Sequence, residues 1–595
     1  MIATAQIFAL FSPPAKKSCA FRAVQKFGRT EFGLLPAWFF VCIESFSHIV
    51  MFEVITNSKI LNFQTKKVTF SAIILAVSTV ASGLLGFLRD WLLSGKFGAG
   101  FELDAYFAAF RIPDFIYGVL VYGGISVVFL PFFAEQYAKD KNKVWEFANN
   151  VLNVLIGAIV VIAILCLIFA SPLVKTMAPG FSGEQLELTI YLTRVMLLSP
   201  ILFGAASVLA GILQYFNRFL ACGIAPVLYN LGIIAGIVFL TPVFGIAGVA
   251  YGVAIGAAFY CLVQFAAAVN AGFKYRFVFH PSDPALAKAF FLMLPRVFST
   301  AAVQFEYIVL LFIASGLAAG SVTIFNFSNN IFVLPVTMVG VSFAMAAFPA
   351  FSKLFAESKF AELGQKFSSV FRQTAFIVIP FAFIMWLLRD SIIAFIYLHG
   401  RFSSEAALLM SASLAVVFAV ILFYAEIQVI YRMFFALKDT VTPTVITAVS
   451  VAATILFSFL FVGLAGKEPL ERILRSVLGL GQIKDIRIVG LALALNLSMS
   501  IQFGLSMFFL IKKNSRLVPG KEIFWSACKS SLAGLVMVVA VYCARANILH
   551  FGQPFWDLVV YGIFGAAVYL GAAAMLRCRE MRPLKDTVFG FLGKP

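Results

Sequence analysis

Charge is scarce in this chain. Asp, Glu, Lys and Arg make up 12% of its 595 residues, and only 27 are acidic. A soluble domain carries roughly 25% charged residues to cover its surface, so a water-soluble globular fold is excluded. Histidine is rarer still: His48, His280, His399 and His550 lie far apart. The cysteines Cys19, Cys42, Cys166, Cys222, Cys261, Cys528, Cys543 and Cys578 form no CxxC pair. Most sit in apolar runs, where a thiol behaves as a small hydrophobe. Neither a disulfide framework nor a zinc or haem site follows, and no cofactor is expected. Paired carboxylates in a polar loop are also missing, which argues against an intramembrane enzyme.

What is abundant is apolar sequence. Hydrophobic residues make up 62%, Phe alone numbers 69, and the mean hydropathy is +0.98. These values describe an all-α polytopic membrane protein. A window of ~20 apolar residues gives about fourteen transmembrane spans. They lie near 68–92, 105–135, 146–170, 187–213, 221–240, 245–271, 287–313, 321–352, 366–388, 406–435, 441–464, 487–511, 523–545 and 554–576. Basic clusters precede the first span and follow the second, sixth, eighth, twelfth and last, all on one side. The positive-inside rule makes that side, and both termini, cytoplasmic. The net charge of +18 therefore reads as loop charge, and no motif or single basic patch points to nucleic acid. One outer loop, 465–486, breaks the pattern with Lys467, Arg472, Arg475 and Lys484 among acids, and is expected to hold an amphipathic interfacial helix.

The chain repeats itself. LPFFAEQYAK (130–139) aligns with FPAFSKLFAE (348–357), FGAG (97–100) with LAAG (317–320), SPILF (199–203) with AVILF (419–423), and APVLYN (225–230) with TPTVIT (442–447). The offsets are 217–220 and span six helices, an even number, so both copies share one orientation. Two pseudo-symmetric six-helix lobes around a central cavity are expected, at 61–280 and 281–515. A helix pair and basic tail, 516–595, lie outside the repeat. Residues 1–60 fit poorly: 1–33 are basic with Pro13-Pro14, and 34–54 are apolar but contain Glu44 and His48. Translation starting at Met51 is the reading adopted for this extension.

Charges inside apolar spans are costly and mark polar pathways. Arg89 and Asp90 end the first span, either as a phosphate-binding pair or as an interfacial ion pair. Arg111 and Asp114 are one turn apart on one helix face, with Pro113 between them. Pro113 frees a carbonyl and favours a helix break lining a cavity. The alternative is a self-neutralising pair that merely permits insertion. Asp104 is expected to cap the second helix. Arg296, Gln304 and Glu306 share the seventh span, with Glu306 a candidate site for a coupling cation or proton. Asn326, Asn329 and Asn330 form a polar stripe in the eighth, able to bind sugar hydroxyls or to join helices. Arg432, Lys438 and Asp439 read as topology and gating residues.

The stretches SGLLGFLRD (82–90), FGAGFELDAYFAAFRIPD (97–114), MAPGF (177–181), LPRVFSTAAVQ (294–304), HGRFS (399–403) and RMFFALKDTVTP (432–443) together resemble the MurJ/MviN family of lipid II flippases. The family sits within the multidrug and polysaccharide exporter superfamily, and the resemblance covers roughly 68–520. It implies fourteen helices in two lobes in a bacterial inner membrane. It implies movement of undecaprenyl-pyrophosphate-linked peptidoglycan precursor to the outer leaflet by alternating access, with the last two helices as a groove for the lipid tail. A coupling cation or the membrane potential would drive the cycle. Family members place cavity arginines in the first, second and eighth helices. Arg89 matches one, while Gly83, Tyr117 and Asn330 stand at the others and Tyr122 at an acidic position. With the family's cation cluster largely missing, Arg296 is the best candidate to replace it, and the polar residues read above give the expected substrate-binding set: Arg89, Arg111 and Arg296, with Asp90, Asp104, Asp114, Gln304 and Asn330. The changed cavity leaves two alternatives: another polyprenyl-linked glycan as cargo, or a non-transporting scaffold for cell-wall enzymes.

Overall fold

The computed structural model describes residues 68–141, 143–481, 483–547 and 553–581, and the extension before Val68 lies outside them. Among the described residues the regular structure is entirely helical. The first half of the chain contributes α1 (Val68–Phe97), α2 (Phe101–Ala109), α3 (Arg111–Ile116), α4 (Ser126–Lys139), α5 (Lys143–Ile168), α6 (Gly183–Met196), α7 (Leu198–Tyr215), α8 (Phe219–Ala235) and α9 (Ala247–Asn270). The second contributes α10 (Pro284–Ser315), α11 (Ser321–Pro335), α12 (Ser342–Ala356), α13 (Phe360–Leu387), α14 (Ser404–Val417), α15 (Ile421–Ala436), α16 (Val441–Ala465), α17 (Leu470–Leu478) and α18 (Ile488–Lys513). The pair α19 (Gly520–Asn547) and α20 (Pro554–Met575) follows. Three short helical turns, 170–177, 241–244 and 389–396, lie between these elements.

Thirteen helical stretches among the described residues are long and apolar enough to cross a membrane. They match thirteen of the fourteen expected spans. The remaining one, 105–135, is helical as well but is divided into four pieces. α2 ends at Ala109, α3 follows after Phe110, and a π-helical segment, Tyr117–Ile125, leads into α4. The interruption has a local cause. Pro113 has no N–H for the carbonyl of Ala109, the last residue of α2. A second π segment, Val336–Val341, follows Pro335 at the corresponding place in the repeat. Pro131 and Pro349 likewise both lie inside helices, α4 and α12. The break between α6 and α7 at Leu197 has its counterpart at Phe418–Val420 between α14 and α15.

The loop at 465–486 forms α17, an amphipathic helix, as expected. Leu470, Leu474 and Leu478 pack inward, while Arg472 pairs with Glu468 at 2.7 Å in solvent.

Packing distinguishes the two ends of the molecule. Near the loops poor in cations, one apolar cluster joins both halves and includes Leu93, Leu103, Leu310, Phe327, Tyr397 and Ile488. Toward the basic loops there are two separate cores, with Leu286 of α10 packed against the first. One is built on Phe133, Phe147, Leu209 and Ile212, the other on Phe351, Phe367, Ile430 and Phe434. α19 and α20 pack on α13 through Phe376, Met537, Tyr561 and Tyr569, and the Tyr569 hydroxyl donates to the Phe376 carbonyl at 2.8 Å.

α8 and α9 touch backbone to backbone. Gly232 and Gly236 face Gly252 and Gly256, and a Cβ on Gly252 would sit 2.8 Å from the Gly236 Cα. In hydrocarbon, where apolar side chains gain nothing by leaving lipid, such small-residue contacts hold helices together. Gly252→Leu is expected to part the pair and cost about 1–3 kcal/mol, the usual range for overpacking. Thermal unfolding in detergent measures it, and an unchanged midpoint would mean the contact carries no stability.

Candidate functional site

The charged residues of the α1–α3 region meet α10 and α11 at the seam between the halves. Arg89 pairs with Asp90 at 2.8 Å and reaches the Asn230 amide oxygen of α8 at 3.5 Å. Asp90 is 2% exposed, and its other oxygen accepts from the Asn330 amide at 2.8 Å. A polar chain, Asn230–Arg89–Asp90–Asn330, therefore crosses the seam. A lone arginine in an apolar surrounding would be costly, and a buried carboxylate beside it offsets that cost only when both are also hydrogen-bonded.

Asp104 departs from expectation. The N-cap of its own helix is Gly100, and Asp104 lies four residues in, beyond reach of the helix's first amides. Its side chain crosses to the other half and caps α11. It accepts from the Gly320 N–H at 2.6 Å, and from the Thr323 N–H and hydroxyl at 2.7 and 2.6 Å. Those amides are orphans of a helix start, and the helix dipole also favours a carboxylate there. Gly320 has φ +92, and a Cβ on it would meet the Ala99 carbonyl oxygen at 2.7 Å, so this close approach requires glycine.

The seam continues at the same end. The Arg401 N–H donates to the Gly95 carbonyl at 2.9 Å. The His399 ring stacks on Trp91 with centroids 4.4 Å apart, and its Nε2 lies 2.9 Å from the Trp91 carbonyl. The Gly180 N–H donates to the Ser315 hydroxyl at 3.3 Å. Among the described residues no ion pair joins the halves, so neutral and helix-capping bonds hold this end shut.

Arg111 and Asp114 make no ion-pair contact, although each lies in the other's field. Arg111 donates instead to the Asn326 side chain of α11, and its guanidinium sits 5.2 Å over the Tyr307 ring. Its Nε is buried without a partner. Gln304 donates to the Asp114 carbonyl at 2.8 Å, which uses a backbone acceptor in the irregular part of the helix. Arg89, Asp114, Tyr106 and Tyr229 are within electrostatic reach of one another.

Thus Arg89, Asp90, Asp104, Arg111, Asp114, Gln304 and Asn330 gather along one seam. Arg296 does not join them. It is exposed at the start of the apolar part of α10, eight residues or about 12 Å of helix before Gln304. Glu306 lies on the other side of α10. It is within hydrogen-bond reach of Thr454 and lines a cavity of about 110 Å³ with Tyr307, Asn329, Tyr424, Ser450 and Gln502. Asn329 thus serves this cavity, while Asn326 and Asn330 serve the seam. Arg432 stacks over Phe348 and Phe435.

Reading the sequence for charge missed Tyr106, Tyr229, Tyr307, Gly320, Thr323, Trp91 and His399. The HGRFS stretch was the one available signal for His399.

Asp104→Ala removes the cap and leaves two buried amides unmatched, at about 1–3 kcal/mol each. Destabilisation of the closed seam is expected, read as a longer distance between spin labels on the two outer surfaces. Unchanged label distances would show that the cap does not hold the halves together.

Comparisons with known proteins bear on the family and the fold. The family model described as "Lipid II flippase MurJ" matches residues 93–561. A probable lipid II flippase MurJ of Vibrio cholerae is 25% identical over 555 residues, covering 90% of this chain and 99% of that protein. One from Bdellovibrio bacteriovorus is 25% identical over 536 residues, covering 87% and 97%. Among solved structures, a lipid II flippase MurJ in an inward closed conformation superposes with a TM-score of 0.69 at 25% identity, covering 84% of this chain and 98% of that one. An inward-facing multidrug transporter of the MATE family matches in fold alone, with a TM-score of 0.57 at 16% identity, covering 75% and 99%. With thirteen membrane-spanning stretches among the described residues and a family match across most of its length, this multi-pass bacterial membrane protein belongs to the lipid II flippase MurJ family.

Proposed function

We propose that the chain flips lipid II, moving its pyrophosphate-linked sugar head from the inner to the outer leaflet of the cytoplasmic membrane by alternating access. Both termini then lie in the cytoplasm, on the side of the basic loops. The observation that carries the reading is the placement of two arginines at the seam of the two halves, Arg89 paired with Asp90 beside Asn230 and Arg111 against the Asn326 amide. A pyrophosphate cannot cross ~30 Å of hydrocarbon without replacement of its hydration. A guanidinium offers a planar donor fork that exchanges an amide oxygen for two phosphate oxygens. Tyr229, Asn230 and Asn326 stand beside these forks to meet sugar hydroxyls. The separate cores near the basic loops support entry from that side, with the polyprenyl tail left in lipid.

Opening toward the other side requires release of Asp104 from α11 and of the 399–401 turn from α1. Binding of an anion by Arg89 competes with Asp90, whose other oxygen holds Asn330. Substrate arrival therefore loosens the same polar chain that closes the seam. Two sources of drive suit the chain. A membrane potential of 100 mV is worth roughly 2.3 kcal/mol per charge moved. Glu306, Asn329, Ser450 and Thr454 form an all-oxygen set around one cavity, suited to a proton or a hard cation.

In vesicles holding lipid II, Arg89→Ala and Arg111→Ala are each expected to slow flipping about tenfold or more, the worth of a lost charged hydrogen bond. Arg89→Lys should recover part of the rate, and Arg296→Ala should change it least. Lipid II binding without flipping by the wild type would favour a scaffold, and preference for another polyprenyl glycan would reassign the cargo. At clamped voltage, Glu306→Gln is expected to abolish any dependence of the rate on a proton or sodium gradient. A gradient response that survives in Glu306→Gln would remove Glu306 from the coupling path.

A further inference from the structure

The segment that joins the halves, between α9 and α10, has an unusual attachment. It leaves α9 through Gly272 (φ +102) and runs past α5 without helix or strand. Three buried asparagines of α5 hold its backbone. Asn149 donates to the Lys274 carbonyl at 3.0 Å and accepts from the Arg276 N–H at 3.0 Å. Asn153 donates to the Arg276 and Val278 carbonyls at 3.3 and 2.9 Å. Asn150 donates to the His280 carbonyl at 3.0 Å and accepts from its N–H at 2.7 Å. The segment is therefore riveted to the first half.

Its position relative to lipid follows from α5. Asn149, Asn153 and Gly157 recur every four residues on one helix face, and a Cβ on Gly157 would touch the Phe279 ring at 3.5 Å. Further along that face stand Val161, Ile164, Leu165 and Ile168, which are 58%, 52%, 49% and 61% exposed and face lipid. The segment thus covers the basic-side part of a lipid-facing surface and is continuous with it. Trp145, stacked on Phe216 and edge-on to Phe273, marks the aromatic belt at this membrane surface. Gly157 lies twelve residues, or about 18 Å of helix, beyond Trp145.

The outward side of the segment is chemically distinct. The Phe277 and Phe279 rings stack 6.5 Å apart, the spacing of alternate residues in an extended chain, and are 78% and 50% exposed. Lys274 and Arg276 leave the other face of the extended chain and are also exposed. An extended chain turns the backbone groups of alternate residues to opposite sides. The asparagines take those of 274, 276, 278 and 280, so those of Phe277 and Phe279 turn toward the lipid. Amides at membrane depth need a partner. A phosphate headgroup supplies it, and the two cations draw that headgroup inward.

We propose that residues 273–280 form a membrane strap that binds an anionic phospholipid of the basic-side leaflet. The phosphate sits on Lys274, Arg276 and the outward amides, and the acyl chains pack on Phe277 and Phe279.

Full-length protein with benzoylphenylalanine in place of Phe277 is reconstituted in vesicles of phosphatidylethanolamine with phosphatidylglycerol, or with phosphatidylcholine, and irradiated. Mass spectrometry is expected to find phospholipid adducts at 277, favoured in the anionic vesicles. Lys274→Gln and Arg276→Gln should each lower the yield about fivefold. The same probe at Val161 reports lipid contact in every preparation, and at Glu357 reports a solvent-exposed site. Absence of lipid adducts at 277 while 161 is labelled, or adducts at 277 to protein alone, overturns the strap. Equal yields in both vesicles, unchanged by the two substitutions, overturn the anionic site.

Discussion

The carboxylate of Asp104 on the first amides of α11 is the contact on which this structure turns. It joins residues more than two hundred positions apart, and it does so without an opposite charge. A helix start carries unmatched N–H groups and a positive dipole end, so a carboxylate there is satisfied by partners that cannot move away from it independently. The contact fixes α11 against α2, and through α11 it sets where Asn326 and Asn330 stand. Those amides in turn receive Arg111 and Asp90.

Two consequences follow for transport. First, the polar groups at the seam are matched largely by neutral partners. Amides and tyrosines yield to phosphate more readily than carboxylates do, because a guanidinium gains more from a charged acceptor than it loses in a neutral one. Second, the two ends differ, with a shared apolar cluster at one and separate cores at the other. Binding at Arg89 and closure through Asp90 are thus linked through one ion pair, which gives cargo a route to act on the gate.

The irregular helices serve the same purpose. Pro113 and the π segments at Tyr117–Ile125 and Val336–Val341 open the backbone where the halves face each other. The Asp114 carbonyl, which also accepts from the Tyr117 N–H, receives Gln304 of the opposite half. The asparagines of α5 solve the same problem for the segment between the halves, as side-chain amides replace the partners that hydrocarbon cannot provide.

Much of this was legible in the sequence, and the reason is local. The length of an apolar run, the side of a basic loop and the break at Pro113 each depend on a few adjacent residues. So does the cost of Arg89, Arg111 or Asp104 within a span, which marked them as sites. The internal repeat was equally visible, and it returns in the paired irregularities of the second and eighth spans. Partners were not legible, because they come from chain separations of hundreds of residues. Asp104 was expected to cap its own helix and instead caps α11, since four residues of helix place it past its own free amides. Arg111 was expected to face Asp114 and instead meets Asn326 and Tyr307, which packing brings closer in effect than a neighbour one turn away. Arg296 has the same residue type and a similar apolar setting, yet the length of α10 sets it a dozen ångströms from the seam. Sequence chose which residues would be expensive to bury; only the tertiary structure decided which of them meet, because that depends on how whole helices pack.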